Sequence, residues 1–77
     1  MYGIMTQDGN LVLCHYLARY TLKRWDRYGN LVMRESATQI DELMQQFMVS
    51  SNRYDLEVFK FTKEQEEKLL IAKLRGY

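Results

Sequence analysis

The sequence predicts an α+β domain: an antiparallel sheet of four or five strands in the order β-β-β-β-α-β-α, one helix across it and a second helix at the C-terminus. Three observations carry this. Ile40, Leu43, Met44, Phe47 and Met48 recur at the i, i+3, i+4, i+7, i+8 spacing that gathers apolar side chains on one helix face. The run Tyr54 to Phe61 is rich in aromatic and β-branched residues, which suit a pleated surface. Gly9-Asn10-Leu11-Val12-Leu13 returns nearly unchanged as Gly29-Asn30-Leu31-Val32-Met33, which reads as two turn-then-strand entries. Two copies are too few for a solenoid. A helix striped on one side must cover something, and a sheet containing the last strand is the natural cover.

Tyr2 to Gln7 reads as the first strand. Asp8-Gly9-Asn10 follows as a hairpin turn, because glycine accepts the positive φ that tight turns require. Leu11 to Leu17 returns as the second strand. A helix capped by Asn10, with Leu11, His15, Ala18, Leu22 and Trp25 along one side, is the competing reading of residues 11–25. The duplicated pentapeptide favours strand. Tyr20 to Trp25 becomes the third strand, Asp26 to Asn30 the second turn and Leu31 to Glu35 the fourth strand, with no proline to demote any of them.

Ser36 and Gln39 have capping-box spacing at the start of the first helix. In the strand from Tyr54, Leu56 and Val58 face one way and Phe59 and Phe61 the other, so the sequence leaves open a bulge near Val58 or a sheet covered on both faces. Thr62 and Gln65 repeat the capping-box spacing, and Leu70, Ile71 and Leu74 give the second helix an apolar side. That helix could pack on the sheet, or project and offer Leu70, Leu74 and Tyr77 to a partner.

Residues 1–77 make one domain, divided into hairpins (1–35), a helix-strand unit (36–61) and a C-terminal helix (62–77). An apolar share of 47% suffices for a folded core. A single cysteine rules out an internal disulfide framework. Met1 to Ile4 lacks a basic leader, and no apolar run nears the roughly 18–20 residues of a membrane span. The expectation is a soluble, cytoplasmic chain without a membrane partner.

The net charge of +1 conceals an uneven distribution. Arg19, Lys23, Arg24, Arg27 and Arg34 face only Asp26 in their stretch, whereas eight acidic residues lie between Glu35 and Glu67. Such asymmetry can steer a partner, or can be two solvated faces.

Catalysis finds little support. Cys14 and His15 are neighbours, and on a strand they point to opposite faces, so they form no nucleophile–base pair. Too few Cys and His residues exist for zinc, and no cofactor is implied. Asp41-Glu42 and Glu64, Glu66 and Glu67 read as solvated helix surface, with nothing to bury and tune them. Neither Gly-Asn pair resembles a phosphate-cradling loop. No enzyme is expected.

Two binding readings remain. Arg19, Thr21, Lys23, Trp25 and Arg27 would share one face of the third strand, the cation-and-ring pattern that holds single-stranded nucleic acid. The same pattern describes an ordinary solvated hairpin. The small net charge weighs against a strong phosphate footprint. Protein recognition is favoured, because Tyr, Trp and Arg dominate interface energetics. Six tyrosines and one tryptophan are many for this length, and Tyr16, Tyr20, Trp25, Arg27 and Tyr28 cluster around one hairpin. The candidate partner-binding residues are Arg19, Tyr20, Lys23, Trp25, Arg27 and Tyr28. A homodimer through a strand edge or the C-terminal apolar stripe is a further route.

Tyr2 to Met5, Asp8-Gly9-Asn10, Leu31 to Ser36, Ile40 to Met48 and Leu56 to Phe61 form a sequence of parts. An aromatic–aliphatic strand with an Asp-Gly turn precedes a strand feeding a Ser-capped helix, and an alternating strand closes the set. In this the chain resembles small tailed-phage and prophage accessory proteins, over most of residues 2–61. The resemblance implies a non-enzymatic protein that binds and modulates or inhibits a host protein in the host cytoplasm, in host takeover or anti-defence. It carries over no catalytic residues. The Arg-rich hairpin and the C-terminal helix depart from the pattern.

Overall fold

A computed structural model describes residues 1–25 and 30–75. It contains β1 (Tyr2–Thr6), β2 (Leu11–Tyr16), β3 (Arg19–Arg24), α1 (Ala37–Ser51), β4 (Leu56–Lys60) and α2 (Lys63–Leu74). The strands form one antiparallel sheet in the order β3-β2-β1-β4. The α+β class, the four-stranded sheet and both helices are as the sequence predicts. Residues 11–25 form the hairpin of β2 and β3 around the turn at Leu17-Ala18, not a helix.

Both sheet faces are covered. Ile4, Leu13 and Leu56 meet Ile40 and Met44 of α1 on one face, with Leu43, Phe47 and Met48 packed against them. The helix stripe is therefore wholly used. Val12, Cys14 and Phe61 meet Leu69 of α2 on the other face, joined by Met5, Trp25 and Phe59. The β1–β4 register runs unbroken from Tyr2↔Lys60 to Thr6↔Leu56. Val58 and Phe59 thus point to opposite covered faces, and no bulge is needed.

The helix ends follow local chemistry. Ser36 caps α1 by accepting the Gln39 amide at 3.3 Å, and Asn52 ends it in the left-handed conformation with φ 54°. Asparagine tolerates that geometry better than most residues. At α2 the capping box is complete: Thr62 Oγ1 accepts from Gln65 N at 3.1 Å, and Gln65 Oε1 accepts from Thr62 N at 2.9 Å. Leu69 and Ala72 bury the inner side of α2, leaving Leu70, Ile71 and Leu74 exposed. The helix both packs on the sheet and keeps an apolar outer side. Tyr77, which the sequence offered to a partner, and Gly76 lie outside the described residues.

The fourth strand expected at Leu31 to Glu35 is not a ladder. Leu31 forms one bridge with Cys14, and Arg34 one with Tyr2. Val32 N donates to Leu13 O at 3.0 Å, and Arg34 N to Tyr2 O at 3.0 Å. β1 and β2 pair only at Met5↔Val12, next to their turn, and part beyond it. Residues 31–34 fill that fork, reaching one strand at each end. The twin segments also face oppositely: Val12 lies on the α2 side and Val32 on the α1 side.

Candidate functional site

β3 is an edge of the described sheet, and it carries the candidate residues Arg19, Tyr20 and Lys23. The β2–β3 register runs from Leu11↔Arg24 to Tyr16↔Arg19. Cross-strand partners share a face, so Leu22 joins Leu13 on the α1 side, with Tyr20 and Arg24 in phase. Arg19, Thr21 and Lys23 are in phase with Val12 and Cys14 on the α2 side. The expected shared face of Arg19, Thr21 and Lys23 is present. Arg19, Lys23 and Arg24 are exposed, and no carboxylate among the described residues forms an ion pair with them.

Trp25 belongs to that phase but is not free to stack on a ligand. Its ring packs into the second core beside Phe59, with centroids 5.1 Å apart. Its Nε1–H donates to Gly9 O at 2.8 Å, latching the end of β3 to the first turn. Alternation along β3 locates the ring's face correctly, but that face is core here. Arg27 and Tyr28, which the sequence adds to the site, lie outside the described residues.

Three tip residues replace the tryptophan as exposed apolar surface. Tyr16 is 58% exposed, Leu17 77% and Tyr20 36%. Leu17 and Ala18 occupy the two-residue turn with φ 52° and 60°. Two positive φ values are the mark of a turn that normally takes Asn-Gly. Leucine and alanine there cost roughly 1–2 kcal/mol each relative to residues suited to it. Nothing in Leu-Ala signals a turn, so the apex was invisible in the sequence. Tyr20 is held by a stack on His15 across the hairpin, with centroids 4.5 Å apart.

Beside this edge lies an open groove of about 380 Å³, walled by Arg19 and Tyr20 on one side and by Leu43, Gln46, Phe47 and Ser50 of α1 on the other. Sequence reasoning missed the helix side of it. The available signal was Leu43 and Phe47, four residues apart on the flank of the stripe.

Cys14 and His15 diverge as expected: the thiol is buried on the α2 side, and the imidazole is exposed against Tyr20. Burial pushes the Cys14 thiol up, with the Lys23 charge pulling weakly the other way, so it stays protonated and unreactive at neutral pH. Among the described residues no three His, Cys, Asp or Glu side chains converge on a metal position, and no helix is long and apolar enough to cross a membrane.

At the first turn, buried Thr6 donates its hydroxyl to Asp8 and accepts the Leu11 amide at 3.1 Å. Asp8 also accepts from Asn10 N at 3.0 Å. The Thr6 hydroxyl, aided by the Asn10 amide, holds the Asp8 carboxyl below its ordinary value of 3.8. Asp55 is lowered likewise, chiefly by the Arg53 guanidinium at 2.7 Å. Both aspartates shape loops, and neither lines the groove.

No protein family, curated protein or solved structure matches the chain.

Proposed function

We propose that this chain is a small non-enzymatic binding protein that recognises another protein through the β2–β3 hairpin. The observation that carries this reading is the tip. Tyr16, Leu17 and Tyr20 stand exposed at a strained turn beside exposed Arg19, on a strand whose other end carries exposed Lys23 and Arg24. Exposed apolar side chains rimmed by charge are the usual composition of a protein interface. Strain at a turn persists where the surrounding structure or a function holds it. The resemblance to phage accessory proteins supports a host protein as the partner, modulated or inhibited by being bound in the host cytoplasm.

Affinity capture from bacterial lysate tests the reading, comparing wild type with the double variant Leu17→Asn, Arg19→Glu. Both positions are exposed, and asparagine suits the turn, so the variant keeps its fold. The expected result is one host protein recovered by wild type, lost with the variant and bound again when purified. Recovery unchanged by the variant would clear the hairpin of the role. Nucleic-acid binding by the same cations is the alternative, and titration with DNA and RNA at rising salt identifies it by a steep loss of affinity. The engagement of Trp25 in the core removes the ring on which that alternative relied.

A further inference from the structure

The free edge, the groove and the charge pattern together specify a mode of recognition. We propose that β3 accepts an extended segment of a partner protein as a fifth strand, and that this segment alternates aliphatic and acidic residues. The inference rests on the hairpin being the docking surface.

Backbone geometry comes first. In a two-residue hairpin the residues flanking the turn, Tyr16 and Arg19, form a hydrogen-bonded pair, and hydrogen-bonded and open pairs then alternate. Thr21 and Lys23 therefore point their backbone groups at β2, while Tyr20, Leu22 and Arg24 point theirs outward. No other described strand lies beyond β3. Three N–H and three C=O groups thus stand along an edge unpaired among the described residues, ready to bond an added strand.

Side chains then set the pattern. An added strand places alternate residues on the two sheet faces. On the α1 side they enter the groove, against Tyr20, Leu43 and Phe47, where an aliphatic residue buries apolar surface. On the other side they lie beside Lys23 and in phase with Arg19, which also borders the groove, and a carboxylate there finds cations with no ion-pair partner among the described residues. A second copy of β3 is a poor occupant, because the strand Arg-Tyr-Thr-Leu-Lys-Arg carries only cations and offers no carboxylate to Arg19 or Lys23.

The test uses the full chain, uniformly 15N-labelled, and two matched sets of synthetic decapeptides. One set alternates aliphatic residues with glutamate, the other with lysine. Amide hydrogen exchange is the readout. At saturation with the glutamate peptides, exchange slows at Tyr20, Leu22 and Arg24, whereas Arg19, Thr21 and Lys23 are already slow without peptide. Glutamate peptides bind about fivefold more tightly at low salt, the sum of two exposed charge pairs. Arg19→Glu with Lys23→Glu reverses the preference. Slowing without alternation, equal binding of both sets, or no binding by either set up to the millimolar range overturns the proposal. So does slowing at these amides caused by raising protein concentration alone, which marks a second copy. An oligothymidylate that protects the same amides, with steep salt dependence, overturns it in favour of nucleic acid. A captured host protein that leaves the three amides unchanged refutes strand addition while leaving the binding function standing.

Discussion

Replacing Gly3 with alanine probes how tightly the α2 face is packed. A Cβ there would lie 2.8 and 2.9 Å from the Phe61 ring and 3.0 Å from Phe59. Ordinary carbon contacts begin near about 3.5 Å, so the Phe61 ring edge must retreat by roughly 0.7 Å. It has little room to do so. Phe61 is only 4% exposed and stands edge-on to Phe59, with centroids 4.6 Å apart, and Phe59 in turn touches Trp25. Overpacking of this kind costs about 1–3 kcal/mol. The lost freedom of glycine in the unfolded chain returns about 0.4–1 kcal/mol, leaving a net loss of about 1–2 kcal/mol. Urea unfolding followed by circular dichroism would show a midpoint lower by about 1–2 M, at a slope of about 1 kcal/mol/M. Phe61→Leu supplies the control: with that ring gone, adding Gly3→Ala should cost clearly less, the 3.0 Å approach to Phe59 remaining. A single Gly3→Ala variant as stable as wild type, or a double variant that pays the full penalty again, would refute the packing argument.

Three further outcomes follow from the same geometry. Trp25→Phe keeps a ring in the core but deletes the bond to Gly9 O, and should lower stability by about 1 kcal/mol in urea titration; no change would mean the latch is inert. Leu17→Asn with Ala18→Gly gives the apex residues suited to its φ values, and should raise stability by about 1–2 kcal/mol in thermal unfolding. Asp8 and Asp55 are depressed in the folded chain, so their stabilisation is fully present above the ordinary value of 3.8 and is lost as pH falls through the lower folded value. Stability followed from pH 5 downwards should therefore drop less steeply in Asp8→Asn; an identical acid limb would show that the Thr6 bond does not survive in solution.

What the sequence revealed was whatever a local period can encode. The stripe from Ile40 to Met48 declares its own face, and every residue of it reaches the α1 core. Alternation from Leu56 to Phe61 left a bulge or two covered faces open, and the unbroken β1–β4 register decides for two covered faces. Trp25 was misjudged because alternation assigns a face without saying what lies over it, and α2 arrives from nearly forty residues further on. Leu31 to Arg34 looks like a strand by composition, yet pairing depends on partners, and the fork offers only one bridge on each side. The groove combines an edge strand with the flank of a helix, a meeting that no single segment announces.

The parting of β1 from β2 has a consequence for how the chain comes together. β1 makes one pair with its sequence neighbour but five with β4, the last described strand. β1 therefore waits for Leu56–Lys60, which emerge much later, before most of its backbone is satisfied. Closing so long a loop early is entropically costly. The β2–β3 hairpin, held by six adjacent pairs, is the natural place for assembly to begin. A nascent chain halted before Leu56 would leave β1 bare along one flank and open to strangers until translation resumed.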